Sequence, residues 1–400
     1  MSAAEGSAAP AAAAEPPPRR DRPGRAFAEL VYRLRTEGGS PARQAWAVAA
    51  GVFIGCLPLY GLHLALCLAA GRLLGLNRMK AYLAAQLNNP FTAPFLIAAE
   101  IGVGRLLRSG SLAGLAPARL TERGVAGVGL DLALGSLAVG TVLGAALGAA
   151  TWLTLRGRRR PAAVEALIEA AARPYLAAGI FHWEFVRGKL RHDPVYLDLL
   201  RRGALPDGGR LLDLGCGRGI LFALVVAARA AAHGELPAGW PSPPLNTALH
   251  GIEGRPRIAA AAAAALAGAA TIEVADLTAA PLPPARTVLL LDVLHYLPAA
   301  AQERLLARAA ACLEPGGVLL VREADAAGGA RFLATRAAER LCALARGHLR
   351  QQFRYRTGEA WRALLAAQGL AVAPAAPLSA GTPYANVLLE ARKAGAGAAS

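Results

Sequence analysis

The sequence predicts a protein of two parts: an α-helical membrane domain, followed by an α/β domain with a mostly parallel sheet. Long runs without charged residues lie before residue 156, and short apolar strands alternate with alanine-rich helical stretches after residue 210. The mean hydropathy is +0.37 over 400 residues, although only 6% of them are aromatic. Such a value is unusual for a soluble enzyme and excludes a largely disordered chain.

Three uncharged runs predict the membrane segments. Residues 44–71, 81–99 and 132–155 contain no Lys, Arg, Asp or Glu. A helix that spans the hydrocarbon core needs about 17–25 apolar residues, so the first and third runs are long enough. The third run is rich in small residues that would let helices approach closely. These are Gly135, Ser136, Gly140, Gly144 and Gly148.

The basic flanks predict the orientation. Arginines are frequent in the N-terminal tail and again over residues 156–160. Because basic flanks stay in the cytoplasm, we expect both there, which requires an even number of crossings. Asn88-Asn89-Pro90 breaks the middle run, and a re-entrant middle segment would give two crossings. The alternative is a first run that is split at 58–61, although each half is then short for a span.

Residues 40–95 resemble a bacterial membrane family, the domain of unknown function 2062. The resemblance rests on Gly-Val-Phe-Ile-Gly at 51–55, Pro-x-x-Gly at 58–61, Asn-Arg at 77–78 and Asn-Pro-x-Thr at 89–92. It implies a bacterial, multi-pass protein of the inner (cytoplasmic) membrane and supplies no chemistry.

Seven strands are predicted after the basic linker. They cover 210–214, 247–252, 271–274, 287–292, 317–322, 370–375 and 384–391. Helical stretches between most of them indicate a mostly parallel sheet that is covered on both faces. The five cysteines are scattered without a CxxC pair, so neither a disulfide scaffold nor a cysteine-based metal site is expected.

A carboxylate-led glycine turn closes the first of these strands. It has the pattern D-x-G-x-G-x-G and contains Asp213, Gly215, Cys216, Gly217 and Gly219. Glycines permit a tight turn and a close approach of the backbone to a ligand. The dinucleotide fingerprint would need glycine where this chain has Ile220, which disfavours a nucleotide-dependent oxidoreductase. The pattern resembles the S-adenosylmethionine site of class I methyltransferases.

That resemblance implies a Rossmann-like, seven-stranded sheet with an antiparallel last strand, and S-adenosyl-L-methionine as cofactor. Glu253 would accept the ribose hydroxyls, Asp276 the adenine amino group, Leu277 would pack on the ring, and Asp292 would lie beside the methionine part. Simpler alternatives exist for three of these residues. Asp213 could cap the next helix, Glu253 could be an ordinary exposed carboxylate, and Asp276 could be a turn residue.

Several residues are candidates for acceptor chemistry. His295 follows Asp292 by one turn and could remove a proton at neutral pH, so both are candidate catalytic residues. A structural histidine is the simpler alternative. No Asn-Pro-Pro-Tyr motif follows the fourth strand, which disfavours base amines and favours a small or lipid-like acceptor. The candidate acceptor-binding residues are His182, Trp183, Lys189, His192 and Glu323.

The sequence therefore predicts a membrane-anchored methyltransferase that modifies a small or hydrophobic acceptor on oxygen or carbon, with its catalytic domain in the cytoplasm. The alternative is a membrane scaffold whose methyltransferase fold binds cofactor without turnover. The bilayer is an expected partner and nucleic acid is not, since no basic-aromatic motif supports it. The basic, aromatic stretch 346–356 could contact an acidic carrier protein, an anionic group or the membrane.

The expected domains follow from these patterns. They are a disordered tail (1–25), the membrane domain (26–156), a basic linker and helix (157–174), the methyltransferase domain (175–393) and a short tail (394–400).

Overall fold

The computed structural model describes most of the chain. The described residues are 26–32, 40–111, 124–156, 160–231, 236–345, 347–348, 350–378 and 381–395. The predicted disordered tail over 1–25 lies outside them, as do the last five residues of the predicted C-terminal tail.

Five helices follow a short helical segment over 26–32. They are α1 (Pro41–Cys56), α2 (His63–Leu74), α3 (Arg78–Ala85), α4 (Ala93–Ser109) and α5 (Gly124–Arg156). Among the described residues, one helix, over Gly127–Arg156, is long and apolar enough to cross a membrane. The third uncharged run thus lies within a single long helix.

The first uncharged run is not one helix, and that prediction was wrong. It is divided between α1 and α2, as in the alternative split. Pro58 has no N–H to continue α1, and Gly61 adopts a φ of +86°, which a glycine tolerates and other residues rarely do. Both signals are present in the sequence, but the uncharged length of the run favoured a single helix over the alternative split.

The middle run breaks where it was predicted to break. The side-chain oxygen of Asn89 accepts the N–H of Phe91 at 3.0 Å, which forms the turn between α3 and α4. Asn88 Nδ2 donates to the carbonyl of Gly55 at 3.0 Å and so ties this turn to the end of α1. The two interruptions of the apolar region are therefore neighbours in space.

Glycines bring α5 into backbone contact with both α1 and α4. A Cβ on Gly135 would lie 1.6 Å from the carbonyl oxygen of Glu100, and one on Gly144 would lie 2.8 Å from that of Ala49. These distances leave no room for a side chain, so the predicted close approach through small residues is confirmed. Along α5, Gly135 meets α4 and Gly144 meets α1.

The C-terminal region is an α/β domain. Its helices are α6 (Ala162–Ala172), α7 (Ile180–His192), α8 (Pro194–Arg201), α9 (Ile220–Ala230), α10 (Pro256–Leu266), α11 (Ala299–Cys312), α12 (Gly329–Ala345) and α13 (Gly358–Ala366). Its strands are β1 (Arg210–Leu214), β2 (Ala248–Glu253), β3 (Thr271–Val274), β4 (Ala285–Leu291), β5 (Leu313–Ala324), β6 (Ala371–Val372), β7 (Ala376–Pro377) and β8 (Asn386–Arg392).

These strands form one sheet in the order β3-β2-β1-β4-β5-β8-β6, and β7 pairs with β8. Strands β1 to β5 are parallel and β8 runs antiparallel to β5. The strand order reverses between β1 and β4, and in such sheets ligands bind at this point, outside the carboxyl ends of the strands.

The sheet of the described residues has eight strands, one more than expected. The additional strand is β7, whose two residues pair with Leu388 and Val387. Strand β6 is also only two residues long, shorter than the predicted 370–375, because only Ala371 and Val372 pair with β8. The antiparallel last strand agrees with the prediction.

The segment 26–32 packs on the α/β domain although it precedes the helical region in sequence. The ring of Tyr32 lies edge-on to Trp183 at 5.3 Å between centroids. The guanidinium of Arg173 lies 5.4 Å from the centre of the Tyr32 ring. The chain therefore reaches the α/β domain both before α1 and after α5.

Candidate functional site

The glycine turn follows β1 at the point where the strand order reverses. Gly215, Gly217 and Gly219 have φ values of +83°, +58° and +66°, in the left-handed region. The N–H of Gly215 donates to the carbonyl of Ile252 at 2.8 Å, which ties the turn to the end of β2. A Cβ on Gly215 would lie 2.6 Å from Val293 Cγ2, so only glycine fits there.

Gly217 differs from its neighbours because it borders open space. The nearest atom to a Cβ on Gly217 would be Glu253 Oε2, at 4.0 Å. Its N–H donates to the same Oε2 at 2.9 Å. The turn thus forms a cradle that a side chain would fill, next to a carboxylate that is 4% exposed.

Glu253 is not the ordinary exposed carboxylate of the simpler alternative, but in this structure it is paired. Its oxygens accept Arg255 Nε at 2.8 Å and Arg255 Nη2 at 3.2 Å. A ribose that hydrogen-bonds to Glu253 would compete with this guanidinium. The Arg255 side chain is 60% exposed and can swing away at small cost, because ion pairs with an exposed partner are weak.

Asp213 lies buried at the end of β1, close to Glu253. Burial, with a smaller contribution from the Glu253 charge, raises the pKa of Asp213 to about 7. Two acceptor groups are therefore held together beside the glycine turn, as a ligand rich in hydroxyl and ammonium donors requires.

Asp276 and Leu277 follow β3. Asp276 Oδ1 accepts the N–H and the hydroxyl of Thr278 at 2.8 and 2.9 Å, the arrangement expected of a turn residue. Leu277 lies against the glycine turn, since its Cδ1 would be 3.5 Å from a Cβ on Gly215. The contact of Asp276 with adenine stays a prediction.

Asp292 follows β4 in a strained conformation that a buried arginine holds. Its φ is +58°, which is uncommon for a residue other than glycine. Arg322 on β5 is 1% exposed and binds both oxygens of Asp292, with Nε 2.9 Å from Oδ1. The N–H of Asp292 also donates to the carbonyl of Arg322 at 3.0 Å.

The same guanidinium also binds a residue of the helices that lie over the carboxyl ends of the strands. Arg322 Nη1 donates to Asp193, the N-cap of α8, whose other oxygen accepts Lys189 Nζ at 2.9 Å. Although burial raises it, the charges of Arg322 and Lys189 lower the pKa of Asp193 to about 2. The phenol of Tyr196 lies among these charges, and burial raises its pKa to about 12.

His295 forms a buried pair with Glu323. His295 Nδ1 lies 2.7 Å from Glu323 Oε2, and the residues are 3% and 0% exposed. Glu323 Oε1 accepts the N–H groups of Val293 and Leu294 at 3.0 and 2.6 Å. Burial alone would lower the pKa of His295, but the Glu323 carboxylate raises it above its ordinary value. His295 Nε2 is buried without a partner among the described residues.

The candidate acceptor-binding residues divide into two groups. Lys189 binds Asp193, which also binds Arg322; we call these residues and Asp292 the Arg322 network. His182 Nδ1 accepts Arg218 Nε at 3.1 Å. Both Lys189 and His182 therefore lie over the carboxyl ends of the strands. Trp183 is fully buried in the core, and His192 is exposed and has no contact with the site among the described residues. The structure does not bring Trp183 and His192 to the site, because Trp183 lies on the side of α7 that faces the core and His192, the last residue of α7, faces solvent.

Glu323 also lies differently from the prediction. It was expected to face the acceptor, but it is fully buried and its oxygens are occupied by backbone N–H groups and His295. Cys216 is buried against Gly251 in the turn, so it is a packing residue there.

Sequence reasoning missed Arg322, Asp193 and Tyr196. Arg322 lies in the run Val-Leu-Leu-Val-Arg-Glu-Ala, and a charge inside an apolar strand was the available signal. Asp193 precedes Pro194 at the start of α8, which marks it as a helix cap but not as a partner of Arg322.

The arrangement fits S-adenosylmethionine. The cradle at Gly217 and the adjacent carboxylates of Glu253 and Asp213 offer space and acceptors where a ribose and an ammonium group need them. Among the described residues, no group of three His, Cys, Asp or Glu could hold a metal ion.

Comparison with known proteins identifies both parts of the chain. Residues 24–163 match the family described as "uncharacterized protein conserved in bacteria", the domain of unknown function 2062. Residues 182–375 match the family described as "methyltransferase domain". The C-terminal part of the chain is thus a methyltransferase domain that uses S-adenosylmethionine, and the N-terminal part matches this bacterial family.

Similar solved structures include magnesium protoporphyrin IX methyltransferase from Synechocystis, at 20% identity and a TM-score of 0.37, covering 54% of this chain and 88% of that one. An O-methyltransferase family 2 protein from Planctomyces limnophilus has 19% identity and a TM-score of 0.38, over 92% of this chain and 95% of that one. At these values the likeness does not bear on the acceptor. A comparison with curated proteins found no match.

The cradle can be tested by filling it. We expect Gly217→Val to abolish binding of S-adenosylmethionine to the full chain, because its methyl groups would occupy the space beside Glu253. Gly268→Val is the matched control, since Gly268 also has a positive φ and open surroundings but lies after α10. Calorimetry should show the control binding like the wild type. Unchanged binding by the Gly217 variant would contradict the assignment.

We expect the Arg322 network to make the free energy of unfolding sensitive to acid. Because the pKa of Asp193 is lowered to about 2, ionised Asp193 stabilises the fold above its unfolded pKa of about 3.9, and this contribution is lost as the pH falls through the folded value. The free energy of unfolding should fall by about 2 kcal/mol between pH 5 and 2 on this account. Denaturant titrations should show a smaller fall for Asp193→Asn. An equal fall in both would contradict it.

Proposed function

We propose that the protein is anchored in the bacterial inner membrane and transfers the methyl group of S-adenosylmethionine to a hydroxyl group of a small, hydrophobic acceptor. The buried His295–Glu323 pair beside Asp292 is the observation that favours a hydroxyl group as the methylated group. A hydroxyl must lose its proton when it attacks a methyl group, and imidazole is suited to accept it.

The pair is oriented for this role. When Nδ1–H of His295 donates to Glu323, the free lone pair is on Nε2, which is the unpartnered nitrogen. The Glu323 carboxylate also stabilises the imidazolium that forms after proton uptake. Glu323 in turn is fixed by two backbone N–H groups of the β4 loop, so the base is coupled to the loop that follows Asp292.

The remaining site residues would bind and orient. Glu253 and Asp213 would hold the ribose and ammonium donors of the cofactor, Leu277 would pack on its adenine, and Asp292 would border its methionine part. Bound there, S-adenosylmethionine supplies a methyl group on a sulfonium leaving group, so the protein mainly aligns the acceptor and removes its proton.

Exposed apolar side chains support insertion of the helical domain in a bilayer. Trp46, Phe91 and Phe95 are 67%, 87% and 79% exposed, and most of the exposed large apolar residues of the described chain belong to α1–α5. Large apolar side chains that are exposed in such numbers on one domain are typical of a surface that meets lipid or a partner.

The helix contacts favour two crossings. Helices α1 and α4 have 16 and 17 residues, together as long as the 33 residues of α5, about 50 Å. Both run antiparallel to α5, with α1 on its C-terminal half and α4 on its N-terminal half. We infer that α1 and α4 form one interrupted crossing, that α5 forms the second, and that α2 and α3 make a re-entrant excursion between them.

The contact of Tyr32 with Trp183 favours the same topology. A segment before α1 that touches the domain after α5 must lie on the same side of the membrane as that domain. Cytoplasmic placement then agrees with the arginines that flank both ends.

Reporter fusions test this topology. Fusions after residues 25 and 165 should both report the cytoplasm, and a fusion near residue 115, beyond α4, should report the outside. A cytoplasmic signal at 115 would exclude a crossing by α5. An external signal at 25 or 165 would contradict the even number of crossings.

The function is tested by profiling lipids and metabolites in a strain that lacks the protein. We expect an apolar species lighter by one methylene to accumulate and the wild-type gene to restore its methylated form. His295→Asn should restore little, because it lacks the base, whereas Gly268→Val should restore fully. Restoration by Gly217→Val would indicate a scaffold that works without cofactor, and a methylated carbon in place of oxygen would contradict the choice of a hydroxyl.

A further inference from the structure

A cleft of about 890 Å³ lies between α12 and residues 351–355 and has no role in the cofactor site. Its walls combine apolar and cationic groups. The apolar wall includes Phe332, Leu333 and Tyr355, and the cationic wall includes Arg336, Arg340 and Arg354. The volume is in the range of pockets that bind small ligands, about 300–1,000 Å³.

The cleft adjoins the candidate base. The ring of Tyr355 stacks on His295, with centroids 5.5 Å apart and planes 16° from parallel. The N–H of Arg354 donates to the carbonyl of His295 at 2.8 Å. Tyr355 therefore belongs to both places, because its ring covers the imidazole of His295 and its side chain also lines the cleft.

Among the residues that the structure describes, the arginines of the cleft are not neutralised by ion pairs. Within the described part of the chain, Arg340 donates to the carbonyl of Gln351 at 3.0 Å and Arg354 binds the side chain of Gln352, both uncharged partners. Arg336 is exposed and lies 6.0 Å from the centre of the Phe332 ring. The neighbouring Glu339 accepts the hydroxyl of Tyr296 at 3.0 Å and offsets only one of three positive charges.

The cleft also borders an unsatisfied polar atom. The hydroxyl of Tyr355 is buried and has no hydrogen-bond partner among the described residues. A buried polar group without a partner costs free energy, which a ligand can recover by supplying an oxygen.

We propose that this cleft binds the acceptor and that the acceptor is an amphipathic anion: a carboxylic acid or phosphate ester with a ring or chain as its apolar body. The arginines would bind the anionic group, and Phe332, Leu333 and Tyr355 would cover the apolar body. That the ligand is the methyl acceptor rests on the proposed function. It narrows the hydrophobic acceptor to one with a negative charge.

Probe binding tests the cleft without methyl transfer. The full chain in nanodiscs of phosphatidylcholine is titrated by calorimetry with 2-naphthoate and with its neutral analogue 2-naphthamide. We expect the acid to bind about tenfold or more tightly, because hydrogen bonds to charged groups exceed neutral ones by about that factor. The double substitution Arg336→Gln, Arg340→Gln should remove this preference, and Arg362→Gln, which changes an exposed arginine of α13, should not.

A second variant and a second ligand keep the outcomes separable. Leu333→Ala, at a residue 62% exposed, should weaken both probes alike and leave the preference intact. Equal affinity of the wild type for the two probes would overturn the proposal. The proposal would also be overturned if the double variant lost binding to phosphatidylglycerol vesicles but bound naphthoate as the wild type does. The arginines would then bind the membrane surface and not a ligand in the cleft. S-Adenosylhomocysteine is titrated in parallel, because its failure to bind would contradict the proposed function and not the cleft.

Discussion

A buried guanidinium holds the catalytic end of this protein together. Arg322 lies near the carboxyl end of β5 and pairs with Asp292 at the end of β4 and with Asp193 at the start of α8. Removing one partner of such a buried pair costs about 3–5 kcal/mol, because the remaining charge stays buried. The pairing therefore fixes the strained Asp292, the loop that carries His295, and the helices above the sheet edge in a single arrangement.

The acidic groups near the carboxyl ends of the strands differ in pKa because their surroundings differ. Asp193 stays ionised to low pH beside two cations, whereas burial beside Glu253 raises the pKa of Asp213 to about 7. The proposed cofactor site thus contains a carboxyl group, Asp213, whose pKa is raised, and the proposed methyl-acceptor site contains a histidine, His295, whose pKa the Glu323 carboxylate raises. We infer that one sheet edge accommodates both binding and proton transfer because neighbouring strands provide separate surroundings.

Much of this arrangement could be predicted from the sequence, because local patterns determine it. The glycine turn, the acidic end of β2, the antiparallel last strand and the break at Asn88–Pro90 all follow from residues that are adjacent in the chain. The burial of Trp183 and Glu323 could not be predicted, because it depends on how α7 and β5 pack. Arg322 was missed because its partners, Asp193 and Asp292, are 129 and 30 residues away. The division of the first apolar run was underestimated because uncharged length outweighed Pro58 and Gly61.

We propose that the helical domain serves a methyltransferase whose acceptor lies in or at the bilayer. This proposal is tested most directly by incubating the full chain with S-adenosylmethionine labelled in its methyl group and with membranes from the deletion strain. We expect the label to enter an organic-soluble, anionic species, and we expect Gly217→Val to prevent this. Label that enters protein or nucleic acid, or that appears equally with the Gly217 variant, would contradict it.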